Sequence, residues 1–371
     1  MTRTAAAEVL VSVDPAPKLT WPGKPSFGPA PARSVAPAAP ASVLAVSSPP
    51  LAVPGGQAPA SDVLQNALIV GDNAEALEAL LETHRGTVTL AYLDPPFFTQ
   101  RAFTTNSGAV ARGETAFDDH WSSRAEYMEF LARRLMLVRE LLAPWGSVVL
   151  HVDPKTSHYL RVLCDEIFGE DAFASEIVWR YRRWPSKQEN FQRVHDVLLR
   201  YRKDPTTKGR WNQLYEPLAA STQKTWGTSK QKAVVNDEGK RARSSKTEDA
   251  SPGVPLGDVW DISVIAPVAK ERTGYPTQKP EALLNRLIDA LSDPGDLVLD
   301  CFAGSGTTLA CAAERQRRFL GVDASPVSVA TITRRFAAKG VPLACVPLAD
   351  LASIPAPPDS TTRLRLDGRG R

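Results

Sequence analysis

Cysteine is scarce in this 371-residue sequence, and its four copies are unpaired. Cys164, Cys301, Cys311 and Cys345 show no metal-ligand spacing and no Pro-Cys dipeptide, which argues against a structural zinc and against chemistry through a covalent cysteine. No metal site is expected. No apolar run is long enough to span a membrane, and no apolar stretch with a basic start marks a secretory signal. A reduced, cytoplasmic protein without a membrane partner is the expectation. Residues 1–60 lack the means to build a core: Ala, Pro, Val and Ser dominate, and the segment reads as a disordered extension, either a linker or a start-site artefact, with no function assigned. Residues 341–371 read as a flexible tail. At 43% apolar overall, the remaining chain can bury one large core without disulfides.

Within that chain the apolar run Val88–Leu93 stops abruptly at Asp94-Pro95-Pro96-Phe97. A β-rich run ending at an acid and two prolines is a strand closed by a rigid turn, because proline fixes φ and supplies no N–H. Such a turn can grip an exocyclic amino group. The carboxylate of Asp94 and the Pro95 carbonyl accept its two N–H bonds, and Phe97 offers a stacking face. Taken alone, Asp-Pro-Pro-aromatic is also an ordinary loop.

A second strand-then-turn unit lies about 200 residues downstream. Asp296 to Asp300 is a short apolar strand, Cys301 to Thr308 a turn, and Leu309 to Glu314 the helix it opens. Gly304 and Gly306 let the backbone approach a ligand, and the helix N-terminus presents free N–H groups. The dinucleotide fingerprint wants a third glycine where this chain has Leu309, which argues against NAD or FAD. The strand Arg318–Asp323 ends in an acid placed to accept both hydroxyls of a ribose. A glycine turn alone is often plain strand–helix packing; with Asp323 so placed, a nucleoside cofactor is favoured.

With these residues in view, the chain resembles the β class of the DNA amino-methyltransferases that use S-adenosylmethionine, over roughly residues 65–338. Asp94–Phe97 matches the family's catalytic motif, and Phe302, Gly304 and Gly306 match its Phe-x-Gly-x-Gly cofactor motif. Pro276-Thr277-Gln278-Lys279-Pro280 matches a further signature near the methionine end of the cofactor. The resemblance implies an α/β fold: a doubly wound, mostly parallel, seven-stranded Rossmann-like sheet, circularly permuted, with an inserted target-recognition region. The boundaries expected are 61–203 for the catalytic half, 204–257 for the insertion and 258–340 for the cofactor half. Ala67 to Asp72 would supply the strand missing after the cofactor half. Asp72 would lie beside the adenine of the cofactor, or serve as a surface-loop residue. Asp300, Phe302, Ala303, Gly304, Ser305, Gly306, Thr307 and Asp323 are the remaining cofactor candidates. Lys279 would pair with the methionine carboxylate or brace the turn.

Other landmarks fit one sheet. Met128, Leu131, Leu135, Val138 and Leu142 recur at helical spacing and predict a core-packed helix over 124–142. Gly146 to Val152 is a buried strand, and 157–168 a helix. Glu176 to Tyr181 and Val194 to Tyr201 read as two outer strands, the latter as the antiparallel edge. His151, His158 and His195 read as structural or surface residues. Residues 98–120 predict a mobile loop over the bound base.

Charge is +3 overall but unevenly spread. Between Arg180 and Lys246 there are seventeen Lys or Arg against six Asp or Glu, interleaved with Trp179, Tyr181, Trp184, Phe191, Tyr201, Trp211, Tyr215 and Trp226. A basic run is usually a solvated face. Here it coincides with the segment lacking periodicity, where the family carries target recognition, so a DNA surface is the better account. The candidates are Arg180, Arg182, Arg183, Lys187, Lys208, Arg210, Lys224, Lys230 and Lys232, reading base edges or only phosphates.

The resemblance implies methyl transfer to an amino nitrogen of a base flipped out of double-stranded DNA. Hydrogen bonds to Asp94 and the Pro95 carbonyl would localise the nitrogen lone pair for in-line attack, without a covalent enzyme intermediate. Asp as the first motif residue favours adenine N6 over cytosine N4. An RNA methyltransferase and a non-catalytic DNA-binding relative stay open, whereas glutamine-modifying relatives begin the motif with Asn. The class also allows a homodimer, and either a cognate restriction nuclease as partner or an orphan enzyme. No downstream segment is large enough for a fused nuclease.

Overall fold

The computed structural model describes residues 19–21, 24, 66–105, 113–185, 187, 189–226, 233–235, 239–243 and 251–353. The first half of the chain gives β1 (Asn66–Val70), α1 (Asn73–His84), β2 (Val88–Leu93), β3 (Ala102–Thr104), β4 (Thr115–Asp118), α2 (Arg124–Leu141), β5 (Leu142–Val152), α3 (Ser157–Phe168), β6 (Phe173–Arg180) and β7 (His195–Arg202). Short pieces follow: β8 (Tyr215–Glu216), α4 (Ala220–Trp226), β9 (Ala233–Val235), β10 (Arg241–Arg243), β11 (Val254–Pro255) and β12 (Val259–Asp261). The last part gives α5 (Glu281–Leu291), β13 (Leu297–Asp300), α6 (Thr307–Glu314), β14 (Arg318–Asp323), α7 (Pro326–Lys339) and β15 (Ala344–Pro347).

The main sheet runs β12-β6-β7-β5-β2-β13-β14-β1-β15. All its pairings are parallel except those that β7 makes with β5 and β6. Strand parity divides the core. Ala67, Ile69, Ala91, Leu93, Val148 and Leu150 face one side with α1, α2 and α3. Leu68, Leu90, Tyr92, Val149, Val298 and Phe319 face the other, with α5, α6 and α7. Both faces are therefore dry, which is why the central strands read as unbroken apolar runs.

The fold is the mostly parallel α/β sheet expected, and β1 does pair with β14, beside the cofactor-side strands. The strand count and the edge need correction. The sheet has nine strands, not seven. The loop after β6 returns β7 antiparallel between β6 and β5, so β7 is internal. The outer position belongs to β12, a three-residue strand parallel to β6 and too short to show periodicity. At the opposite edge β15 pairs with β1, so the chain past residue 340 contributes a strand where a flexible tail was expected. A 3-10 turn, Leu348–Ser353, follows it, and Leu351 is buried against the core. The extension also touches the core: the Leu19 N–H donates to Glu166 Oε1 at 2.7 Å, and Lys24 pairs with the same carboxylate. The rest of residues 1–60 lies outside the described residues. Among the described residues, no helix is long and apolar enough to cross a membrane.

Candidate active site

β2 and β13 are neighbours, with Ala91 opposite Leu299. Their C-terminal ends therefore release the Asp94 turn and the glycine turn side by side, where crevices open in sheets of this kind. A cavity of about 520 Å³ lies there. Asp72, Asp94, Pro95, Pro96, Phe97, Lys279, Asp300, Phe302, Ala303, Gly304, Ser305, Thr307 and Asp323 all line it. Gly306 does not. Its φ is +70°, it caps α6, and an added Cβ would lie 2.8 Å from Ile332 Cγ1. Its lack of a side chain serves helix packing. Gly304, with φ +51°, is the glycine of this turn that faces the cavity, packed under Tyr275.

The Asp94 turn is held from below by a residue the sequence did not single out. Asp119, fully buried, accepts from the backbone N–H groups of Phe97 (3.2 Å), Phe98 (3.1 Å) and Thr99 (2.7 Å), from the Thr99 hydroxyl (2.6 Å) and from Trp121 Nε1 (2.7 Å). Phe98 and Gln100 have φ of 60° and 58°, a strained backbone for side-chain-bearing residues. Asp119 compensates that strain. Tyr127 Oη donates to the Pro96 carbonyl at 2.9 Å. Residues 98–120, expected as a mobile loop, contain the β3–β4 hairpin with Phe103 stacked on Phe117 (centroids 4.7 Å apart), both lining the cavity. Residues 106–112 lie outside the described residues.

Asp94 is paired with Lys279, whose ammonium also lies 5.0 Å from the Phe97 ring centroid. In the ligand-free chain the anion that Lys279 meets is Asp94. Gln278 closes its own loop, accepting from the Thr273 N–H and hydroxyl (both 2.8 Å) and donating to the Glu271 carbonyl (2.7 Å). Beneath Asp94 sits fully buried His151. Its Nδ1 is 2.8 Å from Tyr92 Oη and 3.9 Å from Asp94 Oδ1, its Nε2 is 3.3 Å from Asp196 Oδ2, and its ring lies 5.6 Å from that of Phe97.

On the other wall, burial pushes the Asp300 carboxyl up to about 7, with Asp94 and Asp323 adding to it against the Thr308 hydroxyl and the Phe302 N–H. Burial likewise raises Asp323, against its bonds from the Ser325 N–H (2.9 Å) and the Gly304 N–H (2.8 Å). Asp323 therefore fixes the glycine turn as well as facing the cavity. Asp72 caps α1, accepting from the Ala74 and Glu75 N–H groups, and meets Arg134 at 3.2 Å. Arg134, buried and stacked 3.4 Å from the Phe130 centroid, also lines the cavity. Neither Arg134 nor Asp119 carries a local sequence signal. Among the described residues no cluster could hold a metal ion.

The predicted DNA-binding residues differ in how they are engaged. Arg182, Lys187, Lys208 and Lys224 are exposed. Arg183 donates to Tyr181 Oη (3.3 Å), Arg180 pairs with Asp261, and Arg210 pairs with Asp293 and Asp296, which ties the insertion to the turn before β13. That commitment makes Arg210 a structural tether. Lys230 and Lys232 lie outside the described residues.

The N6/N4 family described as DNA methylase matches residues 88–334. The type II methyltransferase M.EcaI of Enterobacter cloacae is 30% identical over 335 residues, spanning 76% of this chain and 71% of its own. The DNA adenine methyltransferase YhdJ of Escherichia coli strain K12 is 26% identical over 252 residues, spanning 68% of this chain and 76% of its own. The crystal structure of the M1.HpyAVI–SAM complex is similar at a TM-score of 0.44 and 18% identity, covering 72% of this chain and 98% of that one.

Proposed function

The chain belongs to the N6/N4 family of DNA methylases, and on that premise we propose that it methylates the N6 amino group of an adenine flipped out of double-stranded DNA. The observation that carries this reading is the juxtaposition of the Asp94 turn and the Gly304 turn across one cavity on adjacent strands. S-adenosylmethionine is the methyl donor of the reading, and bound there it supplies an electrophilic methyl on a sulfonium. The lining suits such a ligand. Besides Asp119, whose oxygens are taken by the turn, four acids, Asp72, Asp94, Asp300 and Asp323, line the cavity with two cationic side chains, Arg134 and Lys279, and a nucleoside carrying positive charge would favour the ionised forms of Asp300 and Asp323.

The residues of the chain then divide the work. Asp323, Asp300 and the Gly304 turn hold the cofactor side. Lys279 orients the Asp94 carboxylate. Asp94 and the Pro95 carbonyl accept the two N–H bonds of the target amine, which favours a lone pair directed at the methyl. Phe97 stacks on the base. The methyl would pass to the nitrogen as its bond to the sulfonium sulfur breaks, leaving a neutral thioether, and the proton the nitrogen then sheds would have Asp94 as its candidate acceptor. No covalent enzyme intermediate is required. Adenine is favoured by Asp at the first position of the tetrapeptide, and the relative from Escherichia coli is named an adenine methyltransferase.

The test is transfer of labelled methyl from S-adenosylmethionine to unmethylated genomic DNA, followed by nucleoside analysis. N6-methyladenine that vanishes in Asp94→Ala is the expected result. N4-methylcytosine would keep the mechanism and move the target to cytosine. Cofactor binding without DNA methylation would overturn the DNA reading and direct the search to RNA or protein.

A further inference from the structure

Loop 181–194, between β6 and β7, carries two large aromatic side chains in water. Trp184 is 91% exposed and Phe191 97% exposed, although side chains of this size ordinarily bury most of their surface. They stand on the two arms of the loop, which Gln192 closes by donating from Nε2 to the Trp184 carbonyl at 2.7 Å. The base of the loop is anchored, and residues 186 and 188 of it lie outside the described residues. Arg193 pairs with Asp153 at the end of β5, and Tyr181 Oη donates to Asp196 Oδ1 at 2.9 Å.

Its position follows from the register. Arg180 lies opposite His195, and Val152 opposite Val197, so the loop projects from the C-terminal ends of β5 and β6. Leu93, the residue before Asp94, pairs with Leu150 on β5. The loop and the catalytic turn therefore leave the same edge of the sheet. Asp196 at the root of the loop contacts His151, which packs on Phe97. Arg182, Arg183, Lys187 and Arg193 stand in the loop against Glu189 alone.

Resting on the methyltransferase reading above, we infer that this loop enters the duplex when the target base is extruded, with Trp184 and Phe191 stacking on the bases left unpaired or flanking the gap. A base pulled from the stack leaves apolar faces open, and enzymes that unstack DNA fill such gaps with apolar wedges. The cations match the phosphates on either side of the gap. A protein partner would want an apolar surface, whereas the loop that carries these two rings also carries Arg182, Arg183, Lys187 and Arg193.

The test uses the full chain and its Trp184→Ala/Phe191→Ala variant. Sites methylated by the wild type in genomic DNA are mapped, and duplexes are made with the target base either paired or mispaired. The variant is expected to lose about tenfold or more in kcat/KM on the paired duplex, since each aromatic–base stack is substantial. On the mispaired duplex, where extrusion is already easy, it should come within about twofold of wild type. Its affinity for S-adenosylmethionine should be unchanged. An equal loss on both duplexes would overturn the wedge and leave the loop a plain DNA contact. No loss on either, or a change in oligomeric state instead, would overturn it in favour of a protein contact. A wild type that methylates no DNA would overturn the underlying activity, a result distinguishable from all of these. As a control, Arg182→Ala/Arg183→Ala should weaken both duplexes alike and lower the salt dependence of binding.

Discussion

Lys279, from the loop that leads into α5, pairs its ammonium with the carboxylate of Asp94 at the end of β2, joining residues 185 positions apart. The pairing places the cation beside both the acid and the ring of Phe97, and so couples the two side chains.

Lys279→Met should therefore act on turnover and spare donor affinity. Loss of a charged partner that orients a catalytic group is worth on the order of 10²-fold in kcat. A dissociation constant for S-adenosylmethionine close to wild type is expected by calorimetry. If kcat held while donor affinity collapsed, Lys279 would be a ligand of the methionine carboxylate and not the orienting partner of Asp94.

Asp119 offers a second, structural lever. Its carboxylate satisfies three consecutive N–H groups next to two left-handed residues. Asp119→Ala leaves those buried donors without an acceptor, at about 1–3 kcal/mol each, and non-additivity keeps the total nearer 3–5 kcal/mol. Chemical denaturation should register that loss, and methyl transfer should fall even at temperatures where the variant stays folded. Asp119→Asn keeps one acceptor oxygen and should recover part of both.

The contrast between Asp94 and Asp119 shows what could be read in advance. Asp94 and Asp300 each end an apolar run, so the change from strand to turn is written locally, and the two turns were legible as a pair. Asp119 serves donors about twenty residues upstream, and those donors are backbone groups that carry no residue identity. Arg134 was hidden for a related reason: it sits on a helix whose apolar spacing announces only core. The edges of the sheet were the least legible part. β12 has three residues and β15 ends in proline, so neither shows a period, and each is recruited by the strand beside it. Lys279 was visible as part of a motif, but which of two anions it meets is a fact of tertiary packing.

Asp300 predicts a pH dependence of defined sign. Its carboxyl holds a proton up to about pH 7 in the folded chain, against 3.8 for an ordinary aspartate. The unfolded chain releases that proton first, so this residue lowers folding stability progressively as pH rises from about 4 to about 7. The full effect is of order a few kcal/mol. Asp300→Asn should therefore be stabilised relative to wild type, by a margin that grows over that window and levels off above it. Melting temperatures of the ligand-free proteins at pH 5 and 8 would measure it. A cationic ligand beside Asp300 favours its charged form, so wild-type affinity for S-adenosylmethionine should rise towards pH 7 and flatten beyond, while the variant binds weakly throughout. A margin that stays constant with pH would mean that Asp300 is ionised in the folded chain.

Gly304 and Gly306 share a turn and a left-handed φ, yet substitution should separate them. At Gly306 an added methyl meets Ile332 at 2.8 Å and 3.2 Å, inside a core where α6 and α7 have no room to part. The left-handed conformation adds about 1–2 kcal/mol for any L-residue, so Gly306→Ala should be destabilised by more than that amount, with a lowered melting temperature as its main signature. At Gly304 the methyl meets Tyr275 Cε1 at 3.2 Å on the wall of the cavity, where a ring can yield slightly. Gly304→Ala bears the same conformational cost with less clash, and its methyl alters the surface offered to the cofactor. It should keep more of its stability than Gly306→Ala and lose more of its donor affinity. Denaturation and calorimetry on the two variants give opposite rank orders if this holds; the same order in both would mean that the turn acts as one unit and that cavity lining does not distinguish its glycines.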